Sequence, residues 1–157
     1  MSKAQLQEAL RAIIEREHAA LDRVITILRA EQRELSAQKP VEIEALTQSK
    51  SIELAGINAL RSERLAALDR LGIPRDPYRA AVALAAVPEL ASAWARLQKA
   101  ADEAMLVNTL NAKLVAIRLN LVSGRLEALR GAVGRKDLYA ADGRSGGGTS
   151  GRVIGAA

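Results

Sequence analysis

Apolar residues recur along most of this chain in steps of three and four, the spacing of amphipathic helices. The first run carries two adjacent lines. One passes through Leu6, Leu10, Ile13, Ala20, Val24 and Ile27, the other through Ile14, Leu21, Ile25, Leu28 and Leu35. A stripe that wide predicts a helix facing two partners rather than one. Ser2 and Gln5 stand at capping-box spacing before it, and Lys39-Pro40 marks its end, so the helix is expected over about 3–37 with a tight helical hairpin after it. The second run, Ile43, Leu46, Leu54, Ile57, Leu60, Leu68 and Leu71, closes at Gly72-Ile73-Pro74. There the glycine can take a left-handed cap and the proline cannot continue a helix.

Asp76-Pro77 then starts a short helix, with aspartate as N-cap and proline in the first turn, and Pro88 interrupts it. From Glu89 to about Arg130 there is no proline and one glycine, and Leu90, Trp94, Leu97, Leu106, Leu110, Leu114, Ile117 and Leu121 run beside Val115 and Val122. The fold class expected is all-α. Its architecture is an elongated antiparallel three-helix bundle with helices at about 41–71 and 89–130 joined through a short connecting helix at 77–86. The bundle fills residues 1–134. Six of the eleven glycines fall in the last stretch, 135–157, which is expected to be a flexible Gly-rich tail.

Composition narrows the chemistry. The chain has no Cys or Phe, one His (His18) and one Trp, so neither a zinc site nor a Ser-His-Asp triad can be assembled from ordinary parts. No enzyme activity, cofactor or small-molecule substrate is expected. The net charge of +5 raises the question of nucleic acid. However, the cations of the helical body alternate with acids and lack interleaved aromatics, and no nucleic-acid partner is expected. No signal peptide or apolar run of transmembrane length is read, which implies a cytoplasmic protein without membrane insertion.

Three pairings stand out. Folding about residues 38–40 sets Glu31 opposite Lys50, an ion pair that would fix the hairpin register. Asn108 and Asn111, three apart in the last helix, are either a polar pair inside the bundle, an exposed pair, or amides beside an exposed apolar strip that bond a partner helix. Leu138 and Tyr139, next to an Asp142-Gly143 turn, either fold back on the bundle or form a short docking motif, a role that suits tyrosine's large contact area and few torsions.

Taken in order, Ala30-Glu31-Gln32-Arg33-Glu34-Leu35, Lys50 with Leu54 and Arg64, Trp94, Asn108-x-x-Asn111 and Leu138-Tyr139-Ala140-Ala141-Asp142-Gly143 resemble the FlgN-type flagellar export chaperones over nearly the full length. The resemblance implies a cytoplasmic type III export chaperone for the C-terminal helical regions of the hook-filament junction proteins FlgK and FlgL. It carries client binding onto Asn108, Asn111, Leu114, Ile117, Leu121 and Leu129. It also carries export-gate docking onto Leu138, Tyr139, Asp142 and Gly143. A self-associating coiled-coil scaffold and a basic adaptor without a secreted client are the alternatives.

Overall fold

The computed structural model describes residues 1–37 and 41–142, with side chains described through residue 133 apart from that gap. The chain is all-helical there, with four helices: α1 Lys3–Ser36, α2 Ile43–Arg70, α3 Pro77–Leu84 and α4 Pro88–Asp142. It divides into two units, Met1–Val115 and a second that begins at Ala116.

The local signals act as expected. The Gln5 amide donates to Ser2 Oγ at 3.2 Å and the Ser2 amide to Gln5 Oε1 at 2.7 Å, closing the capping box of α1. At the end of α2, Gly72 has φ 67°. Around it the Ile73 amide donates to the Leu68 carbonyl at 2.9 Å and the Gly72 amide to Asp69 at 3.0 Å, the paired bonds of a Schellman cap. No atom lies within 4 Å of where a Cβ at Gly72 would stand, so Gly72→Ala should be destabilising through backbone strain alone. The expected loss is about 1 kcal/mol, measured by thermal melting. Asp76 Oδ1 accepts from the Arg79 amide at 2.8 Å with Pro77 in the first turn, which starts α3.

In the first unit α2 runs antiparallel to α1. Arg16–Glu63, Arg23–Glu53 and Lys50–Glu31 pair with partners that advance in opposite directions. α4 runs parallel to α1, since Glu15 bonds Arg96, Arg29 bonds Glu103 and Glu31 bonds Asn111. Up, down and up again is the order that a short α3 connector permits. Buried α1 residues Leu10, Ile14, Leu21, Val24 and Leu28 pack with Leu68 of α2, Leu84 of α3 and Leu90, Trp94 and Leu97 of α4 in one core. Both lines read on α1 enter it, because that helix meets α2 and α4 on adjacent faces.

A buried ion pair sits inside this core. Arg64 Nε donates to Glu17 at 2.5 Å and Arg64 Nη2 donates to its second oxygen at 3.1 Å, while the guanidinium lies over the Trp94 ring, 5.2 Å from its centroid. One residue from each of α1, α2 and α4 therefore meets at a single point.

The last helix departs from expectation at its end. It was expected to stop near Arg130 with a flexible tail from 135, yet α4 continues through Gly131 and Gly134 to Asp142. Isolated helical glycines cost only about 1 kcal/mol each, and Ala, Leu, Arg and Lys around them favour the helix. Residues 143–157, with most of the expected tail, lie outside the described residues.

Candidate partner-binding surface

The two asparagines separate. Asn111 is 3% exposed and points into the first unit, where its Nδ2 donates to the Leu28 carbonyl at 2.8 Å and to Glu31 Oε2 at 2.9 Å. Glu31 Oε1 accepts from Lys50 Nζ at 2.6 Å, so the expected Glu31–Lys50 pair is present and is shared with α4. Asn111 thus takes the interior role among the alternatives and holds α4 in register on α1. Asn108, one turn earlier, is exposed. It stands beside an open cavity of about 180 Å³ between α2 and α4, floored by Leu21, Val24 and Leu28 and flanked by Leu54 and Met105.

Beyond this network most apolar side chains of α4 are exposed. Leu114 is half-buried, whereas Ile117, Leu121 and Leu129 are 56%, 58% and 62% exposed. Leu119, Val122, Leu126 and Val133 are exposed as well. At ~100° per residue these fall on two lines roughly 140° apart. One holds Ile117 and Leu121; the other holds Leu119, Val122, Leu126, Leu129 and Val133. The residues that the resemblance carried over therefore straddle both faces, and four members of the longer line were not among them. Their spacing in steps of three and four was the signal that could have found them.

A helix with this much exposed apolar surface needs a partner. By length and composition, Pro88–Val133 includes a stretch able to cross a membrane, almost none of it buried, which corrects the expectation that no such run exists. Its charges argue for a protein partner instead. Lys113 and Arg118 interrupt it, and each would cost about 2.5–3.5 kcal/mol at the centre of a bilayer. Asn111, moreover, is bonded to α1.

Leu138, Tyr139 and Asp142 belong to α4, so the segment for which docking is expected starts within a helix; Gly143 lies outside the described residues. No curated protein and no solved structure matches the chain. The family model described as FlgN protein matches residues 1–146, a range that includes every landmark of the resemblance: residues 30–35, Lys50, Leu54, Arg64, Trp94, Asn108, Asn111 and residues 138–143. The chain, all-helical over its described residues and matched by this family model over residues 1–146, belongs to the FlgN family of flagellar export chaperones.

Proposed function

We propose that this protein is a cytoplasmic chaperone that binds the C-terminal helical regions of FlgK and FlgL, prevents their premature assembly and delivers them to the flagellar type III export gate. The observation that carries the reading is the exposed apolar surface of α4 from Ile117 to Val133, in the second unit. A client segment made to pair with copies of itself exposes an apolar stripe, and an uncovered helix of the chaperone can shield it by helix-to-helix packing. Asn108, Leu114, Ile117, Leu121 and Leu129 are the client-facing residues in this account, while Asn111 acts behind them by fixing α4. Ordering a flexible client opposes binding, which keeps affinity moderate and favours release at the gate.

Docking is assigned to the segment around Leu138, Tyr139, Asp142 and Gly143, separate in sequence from the client surface. Tyr139→Ala should therefore leave client affinity within about twofold while cutting secretion of both junction proteins by on the order of tenfold, the loss of one aromatic anchor. Secretion is read from culture supernatants of cells that carry only the variant. Undiminished secretion would remove Tyr139 from the docking step, and loss of client binding would place it on the client surface instead.

A further inference from the structure

The longer apolar line in the second unit has the geometry of a coiled-coil seam. Leu119, Val122, Leu126, Leu129 and Val133 follow one another by three, four, three and four residues, and each is half exposed or more. With Leu119, Leu126 and Val133 at position a and Val122 and Leu129 at d, Arg118 and Arg125 stand at g, and Ser123 and Arg130 at e. Glu127, the acid of this stretch, falls at b, away from the seam. Every charged edge position of the described seam is an arginine.

That edge selects the occupant. In a parallel pair of identical helices, g of one heptad meets e of the next, which would set Arg125 against Arg130 of a second copy. In an antiparallel pair g meets g and e meets e, again arginine on arginine. Like charges at these positions oppose pairing, so the seam is built against self-association while its apolar positions favour a helical partner. Guanidinium groups also bind carboxylates through two parallel hydrogen bonds, which gives acidic edges an advantage over merely neutral ones.

We infer that residues 119–133 are a heptad seat for an amphipathic helix of another protein whose edge positions are Asp or Glu, and that the arginine edge bars a second copy of this chain. The inference rests on the chaperone reading and specifies the chemistry of the client helix: heptad apolar spacing with acidic flanks.

The test uses the full-length protein and two four-heptad peptides with leucine at a and d, one with Glu at every e and g, the other with Lys. The Glu-edged peptide should bind on the order of tenfold more tightly at low salt, and the gap should narrow at high salt. The variant Arg125→Glu/Arg130→Glu should reverse the preference with an unchanged circular dichroism spectrum. Should that variant lose helicity, the salt dependence of the wild-type preference decides the matter. Binding to neither peptide, equal affinity for both, or a preference that survives the reversal would overturn the inference. So would a wild-type dimer in sedimentation equilibrium that Leu126→Asp dissociates. Junction fragments run in parallel separate the two claims. If they bind wild type and variant alike, the acidic edge is wrong and the chaperone reading stands. If they fail to bind a protein that still discriminates between the peptides, the assignment of FlgK and FlgL is wrong and the seam stands.

Discussion

Glu17→Ala is expected to lower the unfolding free energy by about 3–5 kcal/mol, a large fraction of the stability of a domain this size. The reason is asymmetry. Glu17 and Arg64 are both nearly buried, and the guanidinium is packed over Trp94, so removing the carboxylate leaves a cation in the core without its counter-charge. Replacing both partners with apolar residues of similar volume, Glu17→Leu with Arg64→Met, removes the uncompensated charge and should restore most of the loss. Denaturant unfolding of the two variants against wild type measures the difference. A Glu17→Ala protein as stable as wild type would show that the pair contributes little to holding α1, α2 and α4 together.

The second large effect falls on binding and leaves folding untouched. Leu126→Asp with Leu129→Asp places two charges on a surface that is already exposed, so melting of the first unit should be unchanged. Affinity for client should drop by about a hundredfold or more, as expected when two apolar anchors of a helical interface become charged. The parallel variant Ile117→Asp with Leu121→Asp reports on the other line. Full affinity in the Leu126/Leu129 variant would show that the client lies elsewhere on α4.

Features governed by neighbours in sequence were legible before the structure. The Ser2–Gln5 box, the Gly72 cap and the Asp76-Pro77 start depend on backbone groups only a few residues away, and they formed as read. The Glu31–Lys50 pair was legible as well, because a hairpin about residues 38–40 dictates its register. The same register sets residue 17 opposite residue 64, so the Glu17–Arg64 pair was within reach; what could not be read was the placement of Trp94 against it, which depends on how α4 packs. Asn108 and Asn111 carry the same propensities, and only the Leu28 carbonyl and the Glu31 carboxylate on α1 distinguish them. The end of α4 was misjudged for a related reason. Gly131 and Gly134 weaken a helix locally, yet the residues on either side favour it.

The exposed line on α4 adds apolar residues that the resemblance did not name. Ile117 and Leu121 were carried over beside Leu129 although ~100° steps put them on different sides of the helix. The difference is between what makes α4 a helix and what it binds: any arrangement of these leucines and valines would form the helix, whereas only the heptad subset builds a continuous seam.

The central claim, that the uncovered part of α4 receives the junction proteins, is tested most directly by calorimetric titration of the purified full-length protein with C-terminal fragments of FlgK and FlgL, with the corresponding flagellin fragment as control. The account predicts saturable binding of the two junction fragments at one site per chain, lost in the Leu126→Asp/Leu129→Asp variant, and no binding of the flagellin fragment. Absence of heat with both junction fragments, or equal binding of all three, would contradict it.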